Sequence, residues 1–234
     1  MLLTPSYLLF LFLFFKTHNI SISGIPSKMS IKNSKCMLWL PPAAASRESF
    51  KIQSQPMPVM KESRRLILLR HAKTSWKDRS IKDYDRPLSK AGETDVIQVT
   101  YKLQHLGWIP QLILSSDATR TRQTLKIMQE HVHALLEAET HFISSFYSVA
   151  AMDGQTAHHL QQAICKYARD DIHTLMCMGH NRGWEEAASA FSGASIELKT
   201  CNAALLEAAG RSWEEAFLLA GDGGWQLKQL VKPN

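Results

Sequence analysis

Four side chains able to handle a phosphoryl group stand at the ends of short apolar runs: Arg70 and His71, Arg120, and His180. Leu66-Ile67-Leu68-Leu69 leads into Arg70-His71. Leu112-Ile113-Leu114 leads into Ser115-Ser116 and then Asp117-Ala118-Thr119-Arg120. Leu175-Met176-Cys177-Met178 leads into Gly179-His180-Asn181. A continuous apolar run of this length suits a strand buried on both faces of a parallel sheet. Open α/β sheets bind ligands at the carboxyl ends of such strands. Two histidines and two arginines gathered on one sheet edge form a cluster that is costly to bury unless an anion pairs with it. Guanidinium forks match phosphate oxygens two at a time, and helix N-termini opening at the same edge add N–H groups. A single histidine after a strand is more often a packing residue. Four such groups at equivalent strand ends shift the balance towards a site.

The elements that must position these groups alternate in type. From Ser89, a suitable N-cap, apolar residues recur at Val96, Val99, Leu103 and Leu106, and Gly107 and Pro110 close the helix. A second helix is marked by Leu125, Met128, Val132 and Leu135, with Asp117 as its expected N-cap. A third strand is expected at Phe142-Ile143, and a third helix at Ala157, Leu160, Ile164 and Tyr167. Trp184, Ala187, Ala188 and Phe191 mark a fourth helix. Ala203 to Leu206 and Trp225 to Val231 read as final strands, the latter after the turn residues Gly221-Asp222-Gly223-Gly224. The expected fold class is α/β, a three-layer α/β/α sandwich around a mixed, mainly parallel sheet. No phosphate-binding P-loop and no GxGxxG fingerprint occurs.

Charge divides the chain. Residues 1–61 hold seven Lys or Arg against one acid, Glu48, while twenty basic and twenty acidic residues balance over 62–234. The excess of +6 therefore lies in the first quarter of the chain. A nucleic-acid partner, which needs a basic face on the folded domain, is not expected. Residues 7–15 are nine apolar residues, too few to span a bilayer, so stable membrane insertion is not expected either. Residues 29–61 are rich in Ser, Lys, Pro and Ala and nearly free of acids, the composition of an organelle transit peptide, with chloroplast preferred over mitochondrion and secretion as the alternative. Met29 is a candidate translation start. The expected division is a targeting leader over 1–61 and one catalytic domain over 62–234. Cys165, Cys177 and Cys201 lack CxxC spacing, which fits a reduced compartment, and Cys177 reads as a core residue.

Leu69-Arg70-His71-Ala72, the stretch Arg86-Pro87-Leu88-Ser89-Lys90-Ala91-Gly92, the stretch Ser115-Ser116-Asp117-Ala118-Thr119-Arg120-Thr121-Arg122-Gln123-Thr124 and Gly179-His180-Asn181 resemble, in order, the motifs of the histidine phosphatase superfamily. They are most similar to the SixA-type phosphohistidine phosphatases. The resemblance implies that His71 becomes phosphorylated while Arg70, Arg120 and His180 hold the phosphoryl oxygens. It implies a metal-independent phosphatase without a cofactor, whose partner is a phosphorylated protein or a small phosphorylated molecule. Arg86, Asn181 and Lys73 are further candidate substrate-binding residues, with Arg86 either meeting the phosphate or pairing with Asp83. Trp76, Lys77 and Arg79 are candidates for the rim, and Arg182 would add charge there. Arg122 is expected at the surface.

The chain departs from the family in one respect that bears on substrate. Many members carry a carboxylate after the third strand to protonate an alcohol leaving group. Residues 146–154 offer only Asp153. A phosphohistidine or another activated phosphate tolerates a missing acid better than an alkyl phosphate does. Two alternatives remain open: a phosphate-dependent binding or regulatory domain with little turnover, and a phosphosugar or phosphoglycerate phosphatase or mutase. His131 and His133, and His158 and His159, lack metal-ligand spacing.

Overall fold

The computed structural model describes residues 62–152 and 154–234. Six strands form one sheet in the order β3-β2-β4-β1-β5-β6: β1 Ser63–Arg70, β2 Leu112–Ser115, β3 Glu139–Phe142, β4 Thr174–Gly179, β5 Ala203–Ala209 and β6 Gln226–Val231. β1 to β4 pair in parallel; β5 runs antiparallel to both β1 and β6. The sheet is therefore mixed and mainly parallel, as the sequence suggests.

Alternation along β1 builds both cores. Leu66 and Leu68 face one side, with Leu112, Leu114, Leu175 and Cys177, against α4 (Thr156–Tyr167), α5 (Gly183–Ser192) and α6 (Trp213–Ala220). Ile67 and Leu69 face the other, with Ile113, Met176 and Met178, against α1 (Lys90–His105) and α2 (Thr119–His131). A short helix, α3 (Ser145–Val149), adds Phe146 to the first core. Each fully buried Leu or Ile contributes about 1.5–3 kcal/mol, so the central strands anchor the fold.

Ser89 caps α1 as expected, its hydroxyl accepting from the Gly92 amide at 3.1 Å. Three expectations are corrected. The N-cap of α2 is Ala118, without a side-chain cap, and Asp117 stands one residue outside the position from which a carboxylate caps. The α2 helix stops at His131, and Leu135 belongs to a separate 3-10 turn, because Val132 turns extended. The third strand lies earlier than Phe142-Ile143, at Glu139–Phe142. Neither α3 nor α6 stands out from the sequence pattern. Among the described residues no helix is long and apolar enough to cross a membrane. Residues 1–61 and Asp153 lie outside the described residues.

Candidate active site

The three strand ends come together because pairing continues one residue past each strand. The His71 amide donates to Gly179 O at 3.0 Å and the Ser116 amide to Met178 O at 2.9 Å. Those bonds set His71, Ser116 and His180 side by side at the carboxyl edge. Gly179 lets this happen: a Cβ there would overlap the Trp184 ring, which packs against the strand end and donates its indole N–H to Cys177 O at 3.0 Å. The opposite lip is built from the Arg86 to Gly92 stretch. A Cβ on Gly92 would strike the Lys73 carbonyl, so glycine lets the start of α1 dock onto the chain that leaves His71. Lys73 O in turn accepts from the Ser89 amide at 2.9 Å.

Hydrogen bonding fixes the tautomers of both histidines. His71 Nδ1–H donates to Ala72 O at 2.7 Å, so Nε2 is the unprotonated nitrogen, and it accepts from Arg120 Nε at 3.1 Å. His180 Nδ1 accepts from the same Arg120 Nε at 3.2 Å, and His180 Nε2–H donates to Ser116 Oγ at 2.7 Å. Burial, then the charges of Arg120 and Arg70, push His71 down to about 3, against the bond to Ala72 O. Burial, with His71, Arg120 and Arg70 nearby, pushes His180 down to about 2. Both rings are therefore neutral at physiological pH, and His71 presents an unprotonated nitrogen beside a guanidinium.

Arg70 donates through Nη1 to Leu198 O at 2.8 Å, while its Nε is buried without a partner. Arg120 is the hub. Besides the two histidines it meets Asp83, with Nη1 on the backbone oxygen at 2.5 Å and Nη2 on Oδ2 at 2.9 Å. Tyr147 donates its hydroxyl to the same Oδ2 at 3.0 Å. Burial raises the Asp83 carboxyl, but the Arg120 charge and the bonds from Tyr147 and Arg120 outweigh it and hold the pKa below its ordinary value.

A cleft of about 830 Å³ opens over this cluster. Arg70, His71, Arg120 and His180 line it, as do Lys73 and Asn181. Trp76 and Arg182 stand at it as well, whereas Lys77, Arg79 and Arg122 do not. Arg86 requires a correction. It is buried away from the cleft wall and donates to the carbonyls of Ser75, Asp78 and Ile81, with its guanidinium 3.9 Å from the Trp76 ring centre. Oxygens of its own loop and an aromatic face take up its Nη groups, while its Nε is buried without a partner; the guanidinium makes no hydrogen bond to Asp83, and Arg86 does not line the cleft. Asp83 pairs with Arg120 instead.

Among the polar groups at the cleft that motif reading passes over are Asp83 and Tyr147. Tyr147 comes from α3, which no periodicity marks. Asp83 lies three residues before Arg86 in a 3-10 turn, Asp83–Asp85, and only the folding back of that loop brings it to Arg120. The one sequence clue is an acidic residue close before a motif that resembles a phosphate-handling family. Arg182 adds a strained point: its φ of 56° and ψ of −62°, with the Gly183 amide donating to Asn181 O at 2.9 Å, make a tight γ-turn at the cleft edge.

Among the described residues no group of His, Cys, Asp and Glu is disposed to hold a metal ion. The basic cluster itself carries the positive charge at the cleft.

Comparison with known proteins agrees with this geometry. The histidine phosphatase superfamily (branch 1) model matches residues 66–172. An uncharacterized chloroplastic protein of Arabidopsis thaliana is 69% identical over 172 residues, which cover 74% of this chain and 79% of that protein. The putative phosphohistidine phosphatase SixA of Agrobacterium tumefaciens is 24% identical with a TM-score of 0.56, covering 73% of this chain and 99% of that one. The putative SixA of Nakamurella multipartitia is 21% identical with a TM-score of 0.59, covering 73% and 96%. At these identities the solved structures show a shared fold. The chain belongs to the histidine phosphatase superfamily.

Proposed function

We propose that the chain is a metal-independent phosphatase that works through a phosphohistidine on His71, acting on phosphohistidine or another activated phosphate. The observation that carries this reading is the unprotonated Nε2 of His71, held neutral and accepting from Arg120 Nε at 3.1 Å inside a basic cleft. In the first step Arg120 Nε–H gives up its bond to His71 Nε2, and the freed lone pair forms a bond to phosphorus as the bond to the leaving group breaks, in line with the attack. Arg70 and Arg120 hold equatorial oxygens, His180 turns its Nε2–H from Ser116 Oγ to a third, and the guanidinium charges stabilise the transition state more than the ground state. Water then attacks the phosphorus of phospho-His71, the P–N bond breaks, the electrons return to Nε2, and inorganic phosphate leaves.

Protons balance through Asp83. As the substrate's phosphoryl group enters the Arg120 fork, its charge opposes the Asp83 anion and raises that carboxyl's proton affinity. Asp83 then takes up a proton and passes it to the leaving group. In the second step it accepts the proton that water releases. Asp83 thus answers the missing carboxylate that Asp153 represents in the sequence. It also weakens the motive for a binding domain without turnover.

The test is to trap the intermediate. Turnover of phosphoimidazole with chelator present is expected to leave an acid-labile, base-stable phosphoryl group on His71. Activity that survives His71→Ala, or that disappears with chelator, would refute the proposal.

The relative's chloroplastic name supports a second part of the proposal, that residues 1–61 carry the chain into chloroplasts. A fluorescent fusion of residues 1–61, compared with one starting at Met29, is expected to enter chloroplasts. Cytosolic or secreted fluorescence from both would overturn it.

A further inference from the structure

Trp76 is 64% exposed, yet it is held in place. The Arg86 guanidinium covers one face of its ring, and Arg86 is fixed by three backbone carbonyls and buried beneath the lip. A cation locked under an indole orients the ring without burying it. Trp76 lines the cleft that His71, Arg120 and His180 also line, and among the described residues Arg86 is the one cation over its ring. In-line attack adds a direction. With the phosphoryl group seated over His71 Nε2, the leaving group sits on the far side of phosphorus, inside the cleft that Trp76, Lys73 and Arg182 also line.

We infer that Trp76, braced by Arg86, is a specificity-determining platform on which the planar ring of the leaving group stacks, so that a phosphorylated imidazole is favoured over a phosphoryl group on a ring-less amine. The inference rests on the phosphatase reading above and names the substrate class for the same site. A ring meeting a pre-oriented indole loses little freedom on binding, and Ser148, Ala150 and Ala151 on the same cleft lining are small side chains. The platform serves whether the imidazole is free or carried on an exposed protein histidine, because only the ring need enter.

The experiment compares kcat/KM for phosphoimidazole with kcat/KM for phosphoramidate, whose leaving group has no ring. Trp76→Leu is expected to lower the phosphoimidazole-to-phosphoramidate ratio roughly five- to tenfold. Trp76→Phe, which keeps a ring, is expected to retain most of the preference. Little buried surface is lost in either variant, and Trp76→Ala gives the same reading should Leu disturb the lip. A ratio that stays constant across residue 76, or a Phe variant that behaves like Leu, would overturn the platform. The two readings fail differently. No hydrolysis of either compound by the unsubstituted protein refutes the phosphatase; hydrolysis of both with a ratio indifferent to residue 76 refutes only the platform.

Discussion

Replacing Arg120 with lysine keeps the charge of the site and removes its shape. Arg120 Nε reaches both His71 Nε2 and His180 Nδ1, while Nη1 and Nη2 form a fork now filled by Asp83. A lysine ammonium is a single point on a flexible stem and cannot serve the ring nitrogens and two phosphoryl oxygens together. In the transition state the phosphoryl oxygens take over the fork, so the substitution removes about two charge-assisted hydrogen bonds. At roughly 1.5–3 kcal/mol each, the loss is about 3–6 kcal/mol. That corresponds to a fall in kcat/KM of roughly a hundredfold to ten-thousandfold. The assay is steady-state hydrolysis of phosphoimidazole at constant ionic strength, with circular dichroism melts to show that the variant is folded. Arg122→Lys is the control, since Arg122 donates to Asp117 O at 2.9 Å and lies over the Phe142 ring, off the cleft wall. It is expected to stay within about twofold of the parent, as exposed contacts contribute little. A folded Arg120→Lys protein within tenfold of the parent would refute the idea that fork geometry, rather than charge alone, carries the chemistry.

Three further outcomes are expected. His71 and His180 are both depressed from 6.5, to about 3 and about 2, so the unfolded chain binds more protons than the folded one as pH drops below 6.5. Stability is therefore full above that value and falls towards acid, by up to about 2.7 kcal/mol per pH unit for the two together, and urea titrations from pH 7 to 5 should show a shallower fall in His71→Asn. Asp83→Asn removes the anion that occupies the Arg120 fork, so competitive inhibition by inorganic phosphate should tighten several-fold, from about 1 kcal/mol for a half-exposed pair; unchanged inhibition would mean that phosphate does not displace Asp83. Arg182→Gly should raise stability by about 1 kcal/mol, because glycine adopts a positive φ without strain; a loss in denaturant melts would contradict the strained turn.

How much of this was legible in the sequence depends on the range of the interaction that decides each residue. Buried parallel strands are continuous apolar runs, so β1, β2 and β4, with the residues just past their carboxyl ends, can be read from the chain alone. Arg70, His71, Arg120 and His180 were visible for the same reason: each is tied to the end of a strand or the start of the helix after it. The Ser89 cap and Gly92 are local as well. By contrast α3 is five residues long, too short for a period to show, and it brings Tyr147 to the cleft. Asp83 is set by a loop that folds back onto Arg120, a contact 37 residues apart that no pattern encodes. Arg86 shows the converse. Its type and motif suggest an anion contact, and only the fold reveals that its own loop's carbonyls and Trp76 engage its guanidinium away from the cleft lining. The sequence by itself determined the α/β framework and the four groups at its carboxyl edge, because periodicity and strand ends are local. Tertiary structure alone decided the tautomers, the carboxylate over the cleft and the braced aromatic on its lining, because each depends on chain segments that meet only when the sheet is complete.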